Sequence, residues 1–83
     1  MERLRRPTHP GAILREDVLP GLGITVPHFA HRLGVPTTML EGVLAELVDV
    51  TPRFAALLGQ VLDTTAESWM NMQKAYDAWE TRP

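Results

Sequence analysis

The sequence predicts an all-α fold of five helices, arranged around a helix-turn-helix that runs from about Val26 to Ala45. Apolar residues recur at helical spacing along the chain, and no alternating, strand-like pattern is present. Proline, glycine and threonine stand where helices are expected to begin and end. Two short apolar segments flank Gly34, an arrangement typical of the tight turn in a helix-turn-helix.

Length and composition narrow the possible classes of protein. The chain has 83 residues, no cysteine and a formal net charge of −2. This length fits one small domain, which association with a second chain would help to stabilise. The absence of cysteine excludes disulfides and thiolate chemistry. No signal-peptide pattern is present, and no apolar run approaches the about 20 residues that span a bilayer. We therefore expect a cytoplasmic protein without membrane contact.

The N-terminal segment, residues 1–9, is basic and contains Pro7, with Pro10 directly after it. We expect a flexible arm there, followed by the folded domain at residues 10–83. Pro10 suits the first position of a helix because its missing N–H needs no partner there. The first helix is predicted to run from about Pro10 to Leu19, where Pro20 and Gly21 end it.

The second and third helices form the helix-turn-helix. Thr25 is a suitable cap for the second helix, and Gly34 suits the left-handed residue after its end. The third helix is predicted to begin at Pro36, and its apolar period continues to Leu47. The residues expected to pack the two helices together are Phe29, Ala30, Leu33, Val35, Leu40 and Val43.

Two further helices complete the predicted fold. The fourth begins after the cap Thr51 and runs from about Pro52 to Leu62. The fifth runs from about Ala66 to Glu80, with either Thr64 or Thr65 as its cap.

An aromatic stripe on the fifth helix is a candidate interface with a second copy or another partner. It either covers the domain core or contacts a second chain. The core is favoured for the first two of its residues, whereas both interpretations remain open for the last two. The stripe consists of Trp69, Met72, Tyr76 and Trp79.

Candidates for chemistry are few. His28 and His31 lie three residues apart on one helical face and could share a metal ion, but no third ligand is indicated. Ser68 and Lys74 have no acid, base or phosphate-binding loop suggested around them. We therefore predict no catalytic residues, no metal, no cofactor and no small-molecule substrate.

Four segments together resemble the HigA antitoxins of bacterial toxin–antitoxin modules, a branch of the XRE-type helix-turn-helix family. They cover most of the chain: Arg6–Asp17, Gly21–Thr25, Arg32–Pro36 and Asp63–Asp77. The resemblance implies a five-helix, λ-repressor-like domain that forms a homodimer and represses its own operon by binding operator DNA. It further implies neutralisation of a cognate HigB-like or RelE-like toxin that cleaves mRNA.

The second and third helices depart from the pattern of these relatives. The relatives usually carry glutamine after the cap of the second helix, where this chain has Val26, and arginine, serine or asparagine along the third. Arginine or glutamine paired with a base provides about 1–3 kcal/mol of discrimination, and the third helix has neither residue. We therefore expect weakened or altered DNA binding and rank toxin neutralisation above operator recognition. The predicted DNA-contacting residues are Thr25, His28, Arg32, Thr37, Thr38, Met39, Glu41 and Arg53.

Two alternatives remain open beside the antitoxin. A stand-alone transcription repressor would bind its operator with a steep salt dependence. A protein-interaction module with a degenerate helix-turn-helix would bind no DNA. The acidic stretch between Gly34 and Pro52, whose only charges are Glu41, Glu46 and Asp49, favours a basic protein partner.

Overall fold

A computed structural model describes residues 7–81, which fold into five helices and contain no strand. Helix α1 covers residues 10–22. The others are α2 (Val26–Leu33), α3 (Thr37–Leu44), α4 (Pro52–Leu62) and α5 (Ala66–Thr81). The predicted all-α, five-helix fold is thus confirmed. Most of the predicted arm, residues 1–6, lies outside the described residues. Along residues 7–81, no helix is long and apolar enough to cross a membrane.

Helix α1 is longer than the sequence predicts, because Pro20 and Gly21 do not end it. A proline inside a regular helix lacks an N–H, and its ring collides with the carbonyl group four residues earlier. In this chain a π-helical turn, Leu14–Val18, widens the helix directly before Pro20, so that the Leu19 N–H donates to the Leu14 carbonyl oxygen. The helix then continues to Leu22 and ends at Gly23, whose φ is 67°.

The core lies between all five helices. Its largest fully buried apolar side chains are Phe29, Phe54, Leu14, Leu40 and Leu58. Helix α4 packs on α5, α2 packs on α3 and α4, and α1 contacts both α3 and α5. The first helix therefore connects the helix-turn-helix to the C-terminal helix.

The start of α5 resolves the two candidate caps. The Thr65 hydroxyl accepts a hydrogen bond from the Ser68 N–H at 3.1 Å, so Thr65 is the cap. Thr64 instead accepts a hydrogen bond from the indole Nε1 of Trp69 at 2.8 Å. Trp69 is only 4% exposed, so it belongs to the core and leaves almost no surface for a partner.

The end of α3 differs from the predicted pattern. The helix ends at Leu44, Ala45 follows as its cap, and Glu46 takes the left-handed conformation with φ 64°. The chain therefore turns away, and Leu47 is 84% exposed instead of continuing the apolar face. Val50 returns to the core in its place, with 2% exposure.

A buried glutamine holds the segment between α3 and α4 against α5. Gln73 is 2% exposed, and its carbonyl oxygen accepts a hydrogen bond from the Val50 N–H at 2.8 Å. Its amide nitrogen donates to Asp77 at 2.9 Å and to Asp49 at 3.3 Å. The segment that follows the third helix is thereby fixed by polar contacts that sequence reasoning did not identify.

Candidate nucleic-acid interface

The framework of the predicted helix-turn-helix is complete. Gly34 adopts φ 77°, and its N–H donates to the Ala30 and His31 carbonyl oxygens, which ends α2 in a tight turn. The Val35 N–H also donates to the Ala30 carbonyl oxygen, at 3.1 Å. The predicted contact residues Phe29, Ala30, Leu33, Leu40 and Val43 are buried, and Val35 is half-buried. The packing predicted for these two helices is confirmed.

Three of the predicted DNA-contacting residues lie at or on α2. Thr25 caps the helix, since its hydroxyl accepts a hydrogen bond from the His28 N–H at 3.2 Å. Thr25, His28 and Arg32 are all exposed. His28 and His31 belong to no candidate metal site, because residues 7–81 contain no group of three His, Cys, Asp or Glu side chains able to hold an ion.

Four more of the predicted DNA-contacting residues lie at the start of α3. Thr38 and Glu41 are exposed and lie three residues apart, on one side of the helix. Thr37 and Met39 are half-buried, and Met39 packs against the core. The exposed surface at the beginning of α3 therefore consists of the Thr38 hydroxyl and the Glu41 carboxylate, with parts of Thr37 and Met39 beside them.

A groove of about 350 Å³ joins the turn to the beginning of α4. It brings together two of the predicted DNA-contacting residues, Met39 and Arg53, whereas the predicted DNA-contacting residues His28 and Arg32 of α2 do not line it. Thr51 was predicted only as a helix cap, a role it has through the 3.2 Å bond from the Phe54 N–H, but it also lines the groove. The full lining is Leu33, Gly34, Val35, Pro36, Met39, Thr51, Arg53, Phe54 and Leu57.

The charges around this surface are nearly balanced. Between Thr25 and Arg53 the cations are Arg32 and Arg53, and the carboxylates are Glu41, Glu46 and Asp49. Glu46 is paired with Arg15 at 3.2 Å. A surface without a cationic excess attracts phosphate only weakly, so its binding to DNA is expected to depend less on salt than that of a strongly basic domain.

Arg15 of α1 contacts the C-terminal end of α3. Its Nη1 donates to the Leu44 carbonyl oxygen at 2.6 Å and to Glu46 Oε2 at 3.2 Å, while Nη2 donates to Glu16 Oε2 at 2.8 Å. The hydrogen bond to Glu16, followed by the one to Glu46, raises the pKa of Arg15, against an opposing effect of desolvation. The sequence analysis did not predict this contact.

The aromatic stripe of α5 is divided between core and surface. Trp69 is buried, whereas Met72, Tyr76 and Trp79 are half-buried. Tyr76 has a partner within the chain, because its ring meets the ring of His9 edge to face, with centroids 4.8 Å apart and an interplanar angle of 80°.

His9 was predicted to belong to the arm, but it is folded into the domain. It is 1% exposed and caps α1, since its Nδ1 accepts a hydrogen bond from the Gly11 N–H at 2.9 Å. Its contact with Tyr76 connects the start of α1 to α5. A histidine before Pro10 gives a sequence signal for a turn, but none for burial against a distant helix.

Comparisons with known proteins agree with this geometry, although no family model matches the chain. Antitoxin HigA-1 of Vibrio cholerae serotype O1 is 35% identical over 78 residues, covering 94% of this chain and 73% of its own. Antitoxin GraA in complex with its operator superposes with a TM-score of 0.85 and 38% identity, covering 96% of this chain and 81% of that one. Pseudomonas aeruginosa antitoxin HigA with the higBA promoter superposes with a TM-score of 0.84 and 34% identity, covering 88% of this chain and 79% of that one.

Proposed function

Because the chain belongs to the HigA family of antitoxins, we propose that it binds operator DNA near its own gene and neutralises a cognate HigB-like or RelE-like toxin. The observation that carries operator binding is the complete helix-turn-helix frame, with Thr38 and Glu41 exposed at the start of α3. The structures of GraA with its operator and of Pseudomonas aeruginosa HigA with the higBA promoter support the proposal. The protein acts in the cytoplasm, where both partners lie.

Operator reading would use a homodimer. Two copies of α3 enter successive major grooves about 34 Å apart and read a pseudo-palindromic site. Thr38 hydrogen-bonds a phosphate or a base, Met39 contacts a thymine methyl group, and Glu41 accepts a hydrogen bond from cytosine. Arg32 and Arg53 provide phosphate contacts beside them. The lack of arginine and glutamine on α3 makes base discrimination weaker than in a repressor that uses bidentate contacts.

A hydroxyl-radical footprint on the DNA upstream of the gene tests this arrangement. We expect two protected patches separated by about one helical turn, roughly 34 Å. A single protected patch would contradict the dimeric reading, and uniform cleavage at low salt would contradict operator binding itself. Uniform cleavage with and without the toxin would favour the protein-interaction module.

Toxin neutralisation would use the partly exposed end of the α5 stripe, and Trp79→Ala tests it. A half-buried tryptophan combines apolar area with a polar edge, which is typical of residues that dominate interfaces. We expect the affinity for the toxin encoded by the adjacent gene to fall about 30-fold, the size of an interface hot spot. Isothermal titration calorimetry measures the change, and circular dichroism verifies that the variant is folded.

Lys74→Ala is the matched control, because Lys74 is exposed on the same helix. It is expected to retain toxin affinity close to that of the unmodified protein. Equal toxin affinity in the folded Trp79→Ala variant would exclude this face as the toxin contact.

A further inference from the structure

The position of helix α3, the helix proposed to read the operator, depends on contacts with the rest of the domain. It has only eight residues, and Pro36 at its N-cap makes no side-chain hydrogen bond. A helix of this length is unstable in isolation, so packing and contacts at its ends determine its direction. At its C-terminal end the N–H groups of residues 45–48 donate to the carbonyl oxygens of Glu41, Gly42 and Val43.

The next carbonyl group, that of Leu44, is bound by a side chain of another helix. Arg15 Nη1 donates to it at 2.6 Å and to Glu46 Oε2 at 3.2 Å, so one nitrogen bridges the last residue of α3 and the left-handed residue beyond it. A cation at this position also interacts favourably with the negative end of the helix dipole. Arg15 and Leu44 are 29 positions apart in the sequence, so the contact joins α1 to α3 directly.

Close backbone packing reinforces the same junction. Gly11, one turn before Arg15 on α1, lies so near α3 that a Cβ atom at this position would be 1.8 Å from the Val43 carbonyl oxygen. The last two residues of α3 are therefore both in contact with α1. Val43 packs closely against Gly11, and the Leu44 carbonyl oxygen accepts a hydrogen bond from the Arg15 guanidinium group. The second terminal nitrogen of Arg15, Nη2, donates to Glu16 Oε2 at 2.8 Å, so both terminal nitrogens have partners within the protein.

We propose that Arg15 is a positioning residue for operator reading, which fixes the direction of α3 from its C-terminal end without contacting DNA. This inference rests on the proposed function, since it concerns the helix assigned to the operator. It differs from a phosphate-contact role, in which Arg15 would add to the salt dependence of binding. It also differs from a role in stability alone, in which any equally destabilising substitution would have the same effect on binding.

The test compares Arg15→Met with two control variants, all in the full chain. Fluorescence anisotropy measures binding to labelled duplexes that tile the region upstream of the gene, at several salt concentrations. Arg15→Met is expected to bind about tenfold more weakly, a typical size for coupling through a helix contact. Its slope of log affinity against log salt stays unchanged, whereas Arg53→Met reduces that slope by about 0.9, the loss of one phosphate contact.

Thr64→Val supplies the second control, because it removes the hydrogen bond to Trp69 far along the chain from α3. It is expected to lower the melting temperature but keep the affinity for the duplex. Arg15→Lys is expected to recover part of the affinity, since an ammonium group can reach one acceptor but cannot reproduce the planar fork of arginine. A salt slope that falls in Arg15→Met, or an equal loss of affinity in Thr64→Val, would overturn the proposal.

Hydrogen exchange of the free protein separates this inference from the proposed function. Arg15→Met is expected to lose amide protection at residues 45–48 while α5 keeps its own. Unchanged protection at residues 45–48 would overturn the positioning role regardless of DNA. If the unmodified protein binds none of the duplexes, operator binding fails, and the exchange data still decide whether Arg15 holds the end of α3.

Discussion

Gly11→Ala is expected to remove most of the stability of the fold. The added Cβ atom would lie 1.8 Å from the carbonyl oxygen of Val43 and 2.8 Å from its carbonyl carbon, both of them backbone atoms of α3. Because neither atom can move without displacing the helix, we expect a loss of at least about 3 kcal/mol, above the usual range for overpacking. A domain of this size has roughly 3–5 kcal/mol of stability in total, so the substitution would remove most of it.

Gly21→Ala is the matched control. Gly21 also lies within α1, but nothing is found within 4 Å of a Cβ atom built there. Alanine at such a position is expected to stabilise the fold by about 0.4–1 kcal/mol, because it restricts the unfolded chain. Urea unfolding followed by circular dichroism measures both variants. Equal stability of Gly11→Ala and Gly21→Ala would contradict the close approach of α1 to α3.

Leu40→Ala and Leu47→Ala are expected to differ strongly, although the two leucines lie seven residues apart and share a predicted face. Leu40 is fully buried, so its truncation leaves a cavity and costs about 2–5 kcal/mol. Leu47 is 84% exposed, so its truncation changes stability by no more than about 0.5 kcal/mol. Thermal and urea unfolding measure the difference. Comparable losses in the two variants would indicate that α3 continues beyond Leu44.

Most of the fold could be predicted from the sequence, because local chemistry determines where the helices begin and end. Thr25, Thr51 and Thr65 cap helices through their own hydroxyl groups, and Gly34 takes the left-handed conformation. These are interactions between residues a few positions apart, and they follow from the identity of each side chain.

The errors occur where the backbone takes a conformation that residue type and periodicity do not indicate. Pro20 is a helix breaker by its own chemistry, but the π-helical turn before it lets α1 continue. The apolar period of α3 includes Leu47, but the left-handed Glu46 redirects the chain, and Glu46 has no sequence signal for that conformation. Periodicity describes a face of a helix and does not reveal where tertiary contacts stop it.

The sequence predicted which residues of α2 and α3 form the exposed surface of the candidate site, but not the residues that contact the elements carrying it. The exposed residues of α2 and α3 follow from the helix-turn-helix pattern, and the structure brings Met39 and Arg53 into one groove. The residues that hold this surface, Arg15 and Gln73, act across long sequence separations. A single arginine or glutamine in a helical pattern reads as a solvated side chain, so nothing in the pattern indicated their roles.

The most direct test of the central claim is the binding of the purified protein to duplex DNA from the region upstream of its gene. Fluorescence anisotropy at low salt, with a scrambled duplex of equal length as competitor, measures whether the helix-turn-helix still reads a sequence. We predict saturable binding to one upstream segment that the scrambled duplex does not displace at equal concentration. Equal binding of both duplexes, or no binding with and without the toxin, would contradict operator recognition by this chain.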